Sequence, residues 1–158
     1  AAPRKFMMED VNGVVVTDET LLGKFSLIYF GYMGCPDVCP TSLMTISEVV
    51  KTIGERADRV IPLFVTVDPE RDTPELLAQY VTAFHPKFLG LRGSDKELEQ
   101  VAKLFKVYYA KSPSPGGGYS MDHSAGQFVL DKQGRPRLLV QHGAGPAVLA
   151  HDLNQLLR

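Results

Sequence analysis

Long apolar runs, a dominant sign of charge, tryptophan and more than a pair of cysteines are what this chain lacks. Its longest apolar stretch, Phe25 to Tyr32, is interrupted by Ser26 and Gly31. That is far too short to cross a bilayer as a helix, which takes about 20 apolar residues. No signal sequence is visible either. Lys and Arg number 17 against 18 Asp and Glu, a net charge of −1. No strongly basic face is therefore available, and nucleic acid is not expected as a partner. Two cysteines do not fix the redox compartment, because a periplasmic disulfide and a cytosolic thiol pair read alike. No internal repeat or charge block divides the chain. Its 158 residues at 44% hydrophobic content suit one domain with one core, spanning residues 1–158.

Both cysteines fall in one segment, Gly31-Tyr32-Met33-Gly34-Cys35-Pro36-Asp37-Val38-Cys39-Pro40, where an apolar strand runs into a helix. A dithiol at this spacing can close a reversible disulfide, hold a soft metal, or do both in turn. Pro40 has no backbone N–H and is tolerated only in a helix's first turn, which puts Cys39 near the N-cap and Cys35 in the loop before it. A helix N-terminus favours negative charge, so at least one sulfur is expected to have thiolate character at neutral pH.

Hydrophobic patterning supplies the elements around this segment. Phe6–Met8 and Val14–Val16 flank a turn at Asn12-Gly13 and read as a hairpin. Phe25–Tyr32 and Val60–Val67 read as buried strands. A helix is expected from about Pro40 to Gly54, with Leu43, Ile46, Val49, Val50 and Ile53 at helical spacing. Thr73 as N-cap and Pro74 at the first helical position open a second helix, to about Phe84. A short strand, Phe88–Leu91, precedes a capping box at Ser94–Glu97 and a third helix through about Phe105. Val107–Ala110 reads as a strand or the end of one, and Ser112–Gly118 as a Pro/Gly-rich mobile loop. Gln127–Leu130 and Arg137–Gln141 form a hairpin about Lys132–Gly134, and Pro146 opens a last helix. This order predicts an α/β domain with a mixed central sheet flanked by helices, a thioredoxin-like fold with an N-terminal β-hairpin.

Three motifs carry a family resemblance: Gly31 to Thr41; Val65-Thr66-Val67-Asp68-Pro69-Glu70-Arg71-Asp72-Thr73-Pro74; and Met121-Asp122-His123-Ser124 followed by Phe128–Asp131 and Gly134. In kind and order they resemble the Sco/SenC family of copper chaperones, which are involved in assembling cytochrome c oxidase. Relatives often carry a polar residue and a histidine where this chain has Met33-Gly34. The resemblance implies a thioredoxin-like fold and a copper site made by Cys35, Cys39 and His123. Thiolates prefer Cu(I), and an added imidazole makes the set compatible with Cu(II). The acceptor it implies is the copper-bearing subunit of cytochrome c oxidase, with another copper chaperone or a thiol reductant as a second partner. The implied location is the periplasmic side of a bacterial inner membrane, or alternatively the mitochondrial intermembrane space. The start at Ala1 without Met reads as a processed terminus, and the resemblance implies a membrane anchor upstream.

A competing reading of the same dithiol is a thiol–disulfide oxidoreductase that reduces the acceptor's cysteines before copper arrives. A generic thioredoxin is disfavoured by the Cys-x-x-x-Cys spacing and by the lack of a Trp before the first cysteine. A peroxiredoxin would carry Thr three residues before its reactive Cys, where Tyr32 and Pro36 stand here. Asp122 and Asp68 are candidates to orient ligands, although Asp68, Asp72 and Thr73 are expected chiefly to cap the strand-to-helix turn. Met121 is not expected to bind, and Met7 and Met8 are expected to pack. His85, His142 and His151 have no partner at ligand spacing and are expected at the surface.

Overall fold

The computed structural model describes residues 5–34, 38–53, 58–123, 126–141 and 146–157, with the backbone alone for 38–41, 122, 123, 126, 127 and 137–141. In chain order the elements are β1 (Met7–Asp10), β2 (Val15–Thr17), β3 (Phe25–Gly31), α1 (Val38–Thr52), β4 (Val60–Thr66), α2 (Pro74–Phe84) and β5 (Leu89–Arg92). There follow α3 (Asp95–Phe105), β6 (Tyr109–Pro113), β7 (Tyr119–His123), β8 (Gly126–Leu130), β9 (Pro136–Gln141) and α4 (Pro146–Leu157). Seven strands make one sheet in the order β2-β1-β5-β4-β3-β8-β9, and β6-β7 make a separate two-stranded sheet.

Strands β3, β4 and β5 run parallel, with Ile28 opposite Leu63 and Leu63 opposite Leu89. The strands outside this trio pair antiparallel, so the sheet is mixed as expected. Every residue of β3 is buried, the signature of a strand covered on both faces. Alternate side chains serve the two faces. Tyr29 stacks with Phe64, which meets Tyr80 and through it Phe84 on α2. Its neighbour Phe30 meets Phe105 of α3 and Phe128 of β8. Helix α1 packs against α2 and α4, while α3 touches β1 and β9, near opposite edges of the sheet, which therefore curls around it. This is the thioredoxin-like arrangement with an added N-terminal hairpin.

Local signals act as the sequence implies. The Asp10 carboxylate accepts the N–H groups of Asn12 (2.8 Å) and Val14 (3.0 Å), closing the β1–β2 turn around Gly13 at φ +80°. Thr73 caps α2, and the Ser94–Glu97 capping box has both of its reciprocal bonds. Helix α1 begins at Val38, two residues before the expected start at Pro40, so Cys39 is inside the first turn. The expected strand at Val107–Ala110 begins at Tyr109 instead and continues to Pro113. The Pro/Gly segment is not an open loop but the turn of a hairpin, pairing Pro113 with Tyr119 and Tyr109 with His123. Among the described residues no helix is long and apolar enough to cross a membrane.

Candidate metal centre

The parallel strands β3, β4 and β5 end together at Gly31, Thr66 and Arg92. In open α/β sheets this carboxyl end is where ligands gather. The first motif leaves β3 there and the second leaves β4. The third motif ends β7 and enters β8, which runs antiparallel to β3 with Phe128 opposite Ile28. Gly126, the start of β8, thus lies toward the carboxyl end of β3. The topology gathers all three motifs at one end of the sheet.

Of the predicted ligands, Cys39 is the second residue of α1 and His123 the last of β7. The side chains of both, and Cys35 altogether, lie outside the described residues, as does His142. A helix start next to a parallel-strand end suits thiolates, because unpaired backbone N–H groups favour negative charge there. Among the described residues no group of three or more His, Cys, Asp or Glu could hold a metal. The remaining histidines have other roles: His85 caps the end of α2 and accepts the Lys87 N–H (3.0 Å), and exposed His151 pairs with Gln155. Met8 and Met121 are buried core residues.

The second motif holds the surroundings of the other two. Asp72, 3% exposed, accepts the Thr66 hydroxyl (2.6 Å) and the Met33 N–H (3.1 Å), two residues before Cys35. Burial raises its carboxyl above the ordinary range, although both hydrogen bonds oppose that. Asp68, 2% exposed, accepts Arg71 Nε and the Tyr119 hydroxyl, the latter at 2.8 Å. Arg71 Nη1 also donates to the Tyr119 carbonyl (2.7 Å), and its guanidinium lies 3.8 Å over the Tyr119 ring and 5.8 Å from the Tyr32 ring centre. Desolvation and the bond to Asp68 push the Tyr119 phenol up to about 12, so it stays a donor at neutral pH. Arg92 secures the loop's backbone by donating to the carbonyls of Pro69 and Asp72, both at 2.9 Å.

Asp68 and Asp72 were expected as caps of the strand-to-helix turn. Thr73 alone supplies the side-chain cap of α2, while the two carboxylates reach out of the loop to Tyr119 and Met33. Sequence reasoning missed Arg71, Tyr119, Tyr32 and Arg92. The one available signal was that Arg71 stands inside a matched motif with no helix or strand to serve.

Comparison with known proteins agrees with this fold. A sequence model of the SCO1/SenC family matches residues 2–158. An SCO2-like protein of Rickettsia prowazekii is 44% identical over 132 residues, covering 82% of this chain and 64% of the relative. The chain thus spans about two thirds of that relative's length. The structure of Bradyrhizobium japonicum ScoI with copper bound is similar at 42% identity and a TM-score of 0.84, covering 98% of each chain. Arabidopsis thaliana ScoI with copper bound is 32% identical with a TM-score of 0.90, covering 99% of this chain and 97% of that one.

Proposed function

Because the chain belongs to the SCO1/SenC family, we propose that it binds copper through Cys35, Cys39 and His123 and delivers it to the copper-bearing subunit of cytochrome c oxidase. One observation carries the reading: 42% identity across 98% of the chain to a protein whose structure holds copper. Two thiolates and one imidazole hold Cu(I) well and also admit Cu(II). Delivery proceeds by ligand exchange, in which thiolate and imidazole donors of the acceptor add to copper as those of this domain leave. Copper keeps its oxidation state, so the step needs no electron donor. The dithiol must be reduced to take up copper, which gives a thiol reductant a place among its partners alongside a chaperone that loads it. The compartment that goes with this reading is the periplasmic side of the inner membrane.

The test is the variant His123→Ala beside Cys35→Ser and Cys39→Ser. Each serine variant is expected to lose most copper affinity. His123→Ala keeps a two-thiolate site, so Cu(I) binding weakens without vanishing, while Cu(II), which prefers more ligands with nitrogen among them, is lost. Thiol–disulfide exchange in His123→Ala is expected at the parent rate. Failed rescue of oxidase copper-site assembly with intact dithiol reactivity supports delivery. Full rescue by a variant that binds no copper favours the oxidoreductase reading instead.

A further inference from the structure

We propose that Arg71 is a positioning residue, a clasp that holds the hairpin ending in His123 against the entry of the cysteine loop. The inference rests on the copper site proposed above and concerns how its parts are kept together. A two-stranded ribbon is at best marginally stable alone, and β6-β7 form their own sheet, apart from the seven-stranded one. Beyond its chain connection to β8, that ribbon is held by side-chain contacts, the buried Met121 among them.

At its turn end the contacts converge on Arg71. The guanidinium binds the buried Asp68 carboxylate through Nε and the Tyr119 carbonyl through Nη1, and lies against the Tyr119 ring. The Tyr119 hydroxyl returns to the other oxygen of Asp68, which closes a ring of contacts. The same cation also lies 5.8 Å from the ring centre of Tyr32, three residues before Cys35. Arg71, in the second motif, thus bridges Tyr32 of the first and Tyr119, two residues before the third on the same strand. The nearby pair Lys111–Glu70 is 3.3 Å apart, with both side chains exposed, and such pairs contribute little. Only a planar fork can serve a carboxylate, a carbonyl and two rings together, which a lysine cannot do.

The chemical consequence separates two oxidation states. Cu(I) is satisfied by two thiolates, whereas Cu(II) depends on the imidazole, so loosening the hairpin weakens Cu(II) selectively. The experiment measures Cu(I) and Cu(II) affinities and the nitrogen hyperfine signal of bound Cu(II) in the parent, His123→Ala, Arg71→Met and Tyr119→Phe. Arg71→Met is expected to lose about tenfold or more in Cu(II) affinity with a diminished nitrogen signal, and to change little towards Cu(I). Tyr119→Phe, which keeps the ring and loses only the hydroxyl bond, is expected to lose about threefold. Amide exchange along β7 in the metal-free Arg71→Met protein is expected to quicken. Parent-like Cu(II) affinity and signal in Arg71→Met overturn the clasp alone. An equal loss for both oxidation states overturns it too, because it marks a general loss of structure. A parent protein that matches His123→Ala overturns the ligand set, and the clasp with it.

Discussion

Asp131 carries three hydrogen bonds of the turn between β8 and β9: it accepts the N–H groups of Gln133 (3.0 Å) and Arg135 (2.9 Å) and Arg135 Nε (2.9 Å). Burial alone would raise its carboxyl, but these bonds outweigh burial and lower it below the ordinary carboxylate value. The stability it contributes is therefore full above its unfolded value of about 4 and is lost as pH falls through the lower folded value. Asp131→Asn is expected to cost about 2 kcal/mol at pH 7, with the gap to the parent closing below about pH 4. Urea midpoints across that range check it, and a gap that widens in acid would contradict the assignment. At this scale legibility followed distance along the chain. The caps at Thr73 and Ser94 bind groups three residues away and could be read directly. The Arg71–Tyr119 contact joins positions 48 apart, and no local pattern announces it.

Of the hairpin β6–β7, local reasoning found only the start of the first strand, at Tyr109 and Ala110. Its strands are Tyr-Ala-Lys-Ser-Pro and Tyr-Ser-Met-Asp-His, without the apolar alternation that marks a half-buried strand. Its turn is a run of three glycines that looks like slack. In the folded chain those glycines take φ values of +83°, +105° and +72°, which side chains rarely adopt, and a Cβ at any of them would meet nothing within 4 Å. The cost of replacing them is thus one of backbone strain rather than collision. Gly118→Ala is expected to destabilise the hairpin by about 1–2 kcal/mol, seen as roughly tenfold faster amide exchange in β6 and β7. Exchange in β3 should not change. Hairpin amides that exchange at the parent rate would mean that the turn tolerates side chains.

Across the whole molecule, the parallel trio β3–β4–β5 and its helices could be read from buried runs and caps, while the cysteines and histidine drew their meaning from family resemblance. What patterning could not supply was the strand order, since pairings such as Glu9 with Arg92 and Ser26 with Leu130 depend on packing between distant elements. Met8 illustrates this. It is fully buried on β1, which lies between β2 and β5 in the sheet, so Met8→Ala should cost about 2–5 kcal/mol. A thermal midpoint unchanged from the parent would show that the N-terminal hairpin is an ornament rather than part of the core. The same strand order has a consequence for synthesis. On a ribosome these elements emerge in chain order, and β3 cannot fill its second flank until Leu130 has left the exit tunnel. Until then a strand that is buried throughout in the folded protein, the one leading into the cysteines, presents an open edge that invites pairing with other chains. A growing chain of this architecture is thus most exposed to chaperone capture and to wrong association before β8 has emerged.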